Sequence, residues 1–349
     1  MPFIHRALEE PSYGWTRGGA LYVPTLGELL REFFFRLNVV RDRRNWLPFS
    51  SWAWSLALCP FLLVFLTRYF SWPLLLLGMF YSMVVVGTHG TVWLHRYSTH
   101  RAYRFRSPVW RFVVANAIPK VVIDEVYVVS HHVHHAQVEK PGDPYNALAG
   151  FFYCFLADVN HQLLRRDMSE GDYAKVQRLM SHTGVRTNTY AQYQRWGSLA
   201  HPLRTTLHFA LSWAFWYAVF FLVGGHALAL ALFGCTFIWA VGIRTFNYDG
   251  HGRGKDKRRA GIDLNRADLS INQVWPGYVA GEWHNNHHLF PRSARTGFLP
   301  YQLDGAWLFI HLLQRLGAVH HVQDDKERFL ALYRASRARP GLETQAGLR

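Results

Sequence analysis

Histidine is concentrated in three short stretches of this 349-residue chain: HRYSTH at 95–100, SHHVHH at 130–135 and HNNHH at 284–288. Neutral imidazole is the common transition-metal ligand of proteins. On a helix, positions i, i+3 and i+4 share a face. His131, His134 and His135 have that spacing, as do His284, His287 and His288. His132 is rotated by about 100° and points elsewhere. Asn247 and His251 are four apart, again on one face. His95 and His100 are five apart, which on an α-helix is roughly 140° out of register. That pair needs a helix end, or it reaches two different metals. Two ligands from the first stretch, three from the second, three from the third and His251 make nine. One tetrahedral or octahedral ion cannot hold nine. Two metal ions are the economical answer, with positions left for water, oxygen or substrate.

An isolated histidine is more often structural. That reading falls to His5, His161, His182, His201, His208, His226, His311, His320 and His321, while His89 either packs or supports the first stretch. A metal-bound imidazole usually donates its second N–H to a carboxylate or carbonyl. Asp124, Glu125, Asp143, Asp249, Asp263 and Glu282 are near enough in sequence, although each could equally cap a helix or face solvent.

The elements that must position these residues are helices, and the fold expected is an all-α integral membrane protein. Crossings are expected at about 51–67, 73–94, 205–224 and 226–245, each near the ~20 residues that span a hydrocarbon core. The connectors are short, so the four form two hairpins. Tryptophans at 52, 54, 72, 213 and 216 sit near segment ends, where indole prefers the membrane interface. Four buried helices of a large soluble protein are the alternative. Amphipathic helices are expected at 25–40, 108–123 and 148–165, lying partly on the bilayer surface.

Charge sets the orientation. Lys and Arg outnumber Asp and Glu by 38 to 23, and the excess lies in 1–50, 95–204 and 244–349 rather than in the short connectors. The positive-inside rule then puts both termini and the middle segment in the cytoplasm. The expected organisation is a cytoplasmic N-terminal segment, 1–50; a membrane domain, 51–325, whose cytoplasmic helical cap, 95–204 and 246–325, carries the metal site; and a tail, 326–349. Because the charge follows membrane sidedness, nucleic-acid binding is not expected. The N-terminus has early acids and no short apolar core, so it does not read as a cleaved signal peptide. Cys59, Cys154 and Cys235 form no CxxC, which leaves neither a disulfide framework nor a thiolate iron–sulfur site.

HRYSTH, HHVHH and HNNHH between two hydrophobic hairpins resemble the three histidine boxes of membrane fatty-acyl desaturases. The six-residue first box, with Arg96 after its first histidine, is similar to the delta-9 branch, as are Asn247 and His251 at the end of the fourth crossing. GEWHNNHHLFPRSARTG, 281–297, is similar to bacterial acyl desaturases throughout, and GDPYN, 142–146, resembles the segment after the family's second box. The resemblance covers roughly 45–325. It implies a non-haem di-iron centre, a buried bent acyl tunnel and dioxygen as co-substrate. On the family pattern His95, His100, His131, His134, His135, His251, His284, His287 and His288 would bind two irons, with Asn247 acting through a bound water. The chain departs from the pattern at His132, where the family has arginine, in NYDGH, and in KDKRR close after His251.

An unactivated C–H bond is beyond acid–base chemistry and needs an oxidising metal centre. Desaturation is the leading outcome. Desaturase-like oxidative decarboxylation of a free fatty acid to a terminal alkene is the alternative, followed by hydroxylation. A membrane zinc hydrolase and a metal transporter are remoter: there is no HExxH, and no acidic residues repeat within the apolar segments. The chain has no nicotinamide or flavin fingerprint, so electrons must come from a ferredoxin, rubredoxin or cytochrome with its reductase. A basic cytoplasmic face would steer such acidic carriers. Arg104, Arg106, Arg111, Arg292 and Arg295 are candidates for a substrate head group. A bacterial inner membrane is the expected location.

Overall fold

The computed structural model describes residues 3–157, 163–252 and 282–338. Among these the protein is overwhelmingly helical, with four two-residue strands: β1 (Thr16–Arg17) pairs with β2 (Ala20–Leu21), and β3 (Arg104–Phe105) with β4 (Val319–His320).

Three helical stretches are long and apolar enough to cross a membrane: Arg43–Tyr69, Trp72–Thr99 and Pro202–Gly250. In chain order the helices are α1 (Leu26–Leu37), α2 (Arg43–Tyr69), α3 (Trp72–Thr99), α4 (Pro108–Ala115), α5 (Asp124–Gln137), α6 (Phe151–Phe155), α7 (Glu170–Met180), α8 (Tyr190–Trp196), α9 (Pro202–Gly250), α10 (His284–Leu289), α11 (Gly305–Arg315) and α12 (Lys326–Ala338).

α9 is not straight. Its helical dihedrals fail at Gly224 and Gly225, and Gly225 takes φ +67°, which favours a residue without Cβ. The chain reverses there, so that Trp213 and Phe233 have ring centroids 5.8 Å apart. On an unbroken helix those twenty residues would span about 30 Å. Both arms pack with α2 and α3 around Leu58, Val86, Phe220, Phe233 and Trp239. The outer faces keep Trp72, Leu76, Leu211 and Leu222 exposed. An apolar surface of that extent suits lipid rather than water.

The polar part of the chain closes over one end of this bundle. α11 packs Ala306, Ile310 and Leu313 against Trp93 and Tyr97 of α3. The N-terminal segment is held by buried charge: Arg36 pairs with Glu9 at 2.8 Å and Glu32 at 2.7 Å, and Arg44 pairs with Glu9 at 2.9 Å.

The expected helix at 25–40 forms as α1 behind a Thr25–Glu28 capping box. The helix expected at 108–123 is shorter. α4 stops at Ala115 rather than 123, with Pro119 beyond it, and the Lys120 amide donates to Ser212 Oγ at 3.0 Å instead of continuing a helix. Over 148–165, α6 begins after Gly150 at φ +100° and ends at Phe155. Residues 158–162 of that stretch, including His161, lie outside the described residues.

Candidate metal centre

Each histidine stretch is set by its backbone. His95 belongs to the last part of α3, where Gly90–Thr99 is π-helical and His100 caps its end. A π-helix bonds i to i+5, and here the His100 amide donates to the His95 carbonyl at 3.1 Å. Widening the turn brings i and i+5 onto one face, so the pair that is out of register on an α-helix shares a single cluster. The second stretch lies on α5 and the third on α10.

Nine imidazoles sort into two groups. His95, His100, His131, His135 and His287 form one, and His134, His251, His284 and His288 the other; within each, the potential ligand atoms lie within 4.8 Å of one another. The second and third stretches are divided between the groups: i and i+4 of α5 face one, while His134 faces the other. Nε2 of His287 is 2.9 Å from that of His95 and 2.8 Å from that of His135, and Nε2 of His284 is 2.9 Å from that of His251. A metal–nitrogen distance of about 2.1 Å puts neighbouring octahedral nitrogens about 3.0 Å apart, so the spacing fits a shared ion. Nε2 of His100 and of His134 is buried without a hydrogen-bond partner among the described residues. A buried orphan nitrogen is costly unless something coordinates it. The two groups are compatible with a two-metal site.

Burial, and then the neighbouring imidazoles, push the pKa values of His100, His131, His135, His287 and His288 well below the ordinary histidine value. That direction favours the neutral ring, the form that binds metal.

Three carboxylates support the rings from outside. His134 Nδ1 donates to Asp143 Oδ1 at 2.8 Å, and Glu139 Oε1 lies 3.4 Å from His251 Nδ1. Glu282 reaches His95 Nδ1 at 3.5 Å and His287 Nδ1 at 3.6 Å. Asp143 and Glu282 were among the sequence candidates; Glu139 was not. It holds φ +55°, unusual without glycine, and its amide donates to Asp143 Oδ2 at 2.9 Å. Gly142, at φ +92°, closes the same turn, where a Cβ would come 2.8 Å from Gln137 Nε2. Asp124 instead pairs with Lys120 at 3.0 Å, and burial pushes the Glu125 carboxyl up to about 7. Asp263 and all of KDKRR lie outside the described residues.

None of the other described histidines belongs to either group. His132 is half-buried, and burial followed by Arg101 pushes it down to about 4. His89 Nε2 is 2.7 Å from the Val114 carbonyl, His182 Nε2 3.0 Å from the Tyr97 carbonyl, and His226 Nδ1 2.9 Å from the Tyr217 hydroxyl. Arg96 is buried and ties the first stretch to the third: it donates to the Ala294 carbonyl at 2.6 Å and Thr296 Oγ1 at 2.9 Å, and pairs with Asp304 at 2.9 Å.

A cavity of about 180 Å³ abuts both groups through His95, His131 and His284. Its wall is mainly apolar, from Leu94, Val121, Val122, Ile123, Val126 and Trp239, and Asn247 lies on it one turn before His251. The arrangement can hold an aliphatic chain against a pair of metals.

A family model described as fatty acid desaturase matches residues 70–308. The chain belongs to the fatty acid desaturase family. As a desaturase-family enzyme it is an oxidoreductase acting on fatty acyl chains. It is 30% identical over 284 residues to the delta-9 desaturase-like 1 protein of Arabidopsis thaliana, covering 76% of this chain and 83% of that one. It is 29% identical over 299 residues to the palmitoyl-monogalactosyldiacylglycerol delta-7 desaturase, chloroplastic, of the same plant, covering 82% and 72%. With the sn-1 stearoyl-lipid 9-desaturase of Anabaena variabilis it shares 26% over 270 residues, covering 75% and 88%. The family match encloses all three histidine stretches, and the desaturase's membrane association accords with its three apolar helices.

Proposed function

We propose that the chain is an O2-dependent di-iron enzyme that oxidises an unactivated C–H bond of a fatty acyl chain, with desaturation as its reaction. The observation that carries this reading is the meeting of two buried imidazole groups with a largely apolar cavity in a desaturase-family chain. His95, His100, His131, His135 and His287 hold one iron; His134, His251, His284 and His288 hold the other, with Asn247 contributing through a water. The metals supply the oxidising power toward a bond that no acid or base can ionise. The protein supplies the geometry. Asp143, Glu139 and Glu282 orient the imidazoles by holding their Nδ1 sides. The apolar wall fixes which carbons lie against the centre and excludes water from it.

α9 makes two crossings on either side of Gly225, giving four crossings in all. Both termini and the metal centre lie on the cytoplasmic side of a bacterial inner membrane, where Lys and Arg concentrate. A ferredoxin, rubredoxin or cytochrome with its reductase delivers the electrons to this basic face. A second reading, oxidative decarboxylation of a free acid to a terminal alkene, is favoured by one feature: Arg244 lies on the cavity wall one helical turn before Asn247.

Mass spectrometry of products from an isotopically labelled fatty acid tests the assignment. Loss of two hydrogens at constant carbon number is the expected result. One carbon fewer selects the second reading, and no oxidised product at all from iron-loaded protein with donor overturns both.

A further inference from the structure

Of the nine imidazoles in the two groups, eight are buried and His135 is partly exposed. Its neighbours on α5 share that exposure. His132, His135 and Ala136, at i, i+3 and i+4, are each partly exposed, so this face of the helix reaches the protein surface. His132 also lies close to the first group, its ring centre 6.3 Å from that of His100. Exposed arginines stand beside this point. Arg101 follows His100 directly, lies near enough to His132 to act on its charge, and donates from Nη2 to the Arg178 carbonyl at 2.9 Å. That bond brings the end of α7, with the exposed Arg178 side chain, alongside. Arg292, also exposed, acts in the same way on His100. Among the described residues none of these three arginines pairs with a carboxylate. The two acids behind the imidazoles, Glu139 and Glu282, are buried. A positive surface therefore lies where a ring of the metal site comes to the outside.

We infer that Arg101, Arg178 and Arg292 form the docking surface for an acidic one-electron carrier protein, whose electrons enter at the first histidine group, where His135 meets the surface. This rests on the di-iron reading above and names where its electron donor sits. Desaturation removes two hydrogens from the chain and reduces O2 to two waters, which leaves two electrons and two protons to be supplied. Water supplies the protons, and each visit of a reduced carrier supplies one electron, the carrier leaving oxidised. Electron transfer between proteins weakens steeply with distance, so the carrier must sit where a ligand ring is reachable. The second group, buried throughout, offers no such place. Encounters of this kind bury less than about 1,200 Å², so a small patch suffices. Unpaired guanidiniums attract carboxylates on the partner and speed its association, an effect that salt screens. An excess of positive charge that reflected membrane sidedness alone would give these three arginines no larger part than any other on the basic face.

The test is biolayer interferometry of the iron-loaded protein, in nanodiscs of zwitterionic lipid, with an acidic [2Fe–2S] ferredoxin, an acidic rubredoxin and, as control, a basic cytochrome c. The unaltered protein should bind the acidic carriers and not the control, with affinity falling as salt rises from about 0.05 to about 0.3 M. Arg101→Glu combined with Arg292→Glu should weaken the acidic carriers at least about tenfold, chiefly by slowing association, whereas Arg31→Glu, the same charge change on α1, should shift them less than about twofold. Bound carrier should also protect Arg101 and Arg292 of the unaltered protein from an arginine-modifying glyoxal, read by peptide mass spectrometry, a result that does not depend on the folding of any variant. Binding of neither acidic carrier overturns the inference. So does equal weakening by Arg31→Glu, or a bound carrier that leaves Arg101 and Arg292 unprotected. Docking as expected without any oxidised fatty acyl product leaves the surface standing and removes the C–H reading. Oxidised product from protein whose carrier affinity ignores Arg101 and Arg292 does the reverse.

Discussion

Nε2 of His95 and Nε2 of His287 stand 2.9 Å apart, although 192 residues separate them in the chain. Glu282 lies behind both rings, and Arg96, the residue after His95, pairs with Glu282 and Asp304. The end of the second apolar helix and the third histidine stretch are thus fixed to each other twice, once through imidazoles facing a common point and once through a buried ion network. The proposed oxidation depends on that convergence.

On the proposed reading, the outer carboxylates should set the metal affinity. Asp143→Asn leaves the His134 ring without its anionic acceptor, and chelator competition should show iron bound about 10–100-fold more weakly. Glu139→Gln should move affinity the same way by less, since its contact with His251 is longer, 3.4 against 2.8 Å. Unchanged affinity in both would contradict the orienting role.

Arg96 is fully buried between two carboxylates. Arg96→Ala leaves both acids without their cation, and stability should fall by about 3–5 kcal/mol. The readout is the thermal midpoint in detergent, with Arg328→Ala, an exposed residue of α12, expected to stay within about 0.5 kcal/mol of the parent.

These relationships differ in how far they can be read from the chain alone. The i, i+3, i+4 spacing on α5 and α10 depends only on helix geometry, so those histidines are legible, as are the glycine-broken hairpin of α9 and the amphipathic helix α1. The π-helical turn at 90–99 leaves no local signature, so whether His95 and His100 share a cluster stays open until the backbone is seen. The division of each stretch between two groups depends on how α5 and α10 cross. Glu139 lies four residues after His135 but not on its helix; its part comes from a turn with positive φ, which spacing does not reveal. The helix expected over 108–123 ends at Ala115, and beyond Pro119 the Lys120 amide is taken by Ser212 from a distant helix.

The metal-free protein should lose stability in acid. The folded-state pKa values of His100, His131, His135, His287 and His288 are depressed by burial, and His132 is pushed down to about 4. The unfolded chain takes up protons as pH falls through about 6.5 while the folded one does not. Stability is therefore present above about pH 6.5 and lost progressively toward pH 4. Thermal midpoints measured from pH 8 to pH 4.5 should be level at first and then fall; a midpoint that rises on acidification would show that these rings gain charge in the fold.

Cavity shape should govern chain selection. A Cβ at Gly90 would lie 3.7 Å from the Trp239 ring, an ordinary contact, so a larger side chain there extends into the cavity rather than clashing with backbone. Gly90→Leu should raise KM for long chains more than for short ones, seen by comparing C10 to C18 acids. An equal effect at every length would place the chain elsewhere.

The central claim is that nine imidazoles hold two irons. Its most direct test is the iron content per chain, by plasma mass spectrometry, of protein purified active, together with His134→Ala and His287→Ala. The account predicts two irons in the parent, with iron and turnover lost together when either histidine is removed. Active protein that contains no iron, or full turnover in either variant, would contradict it.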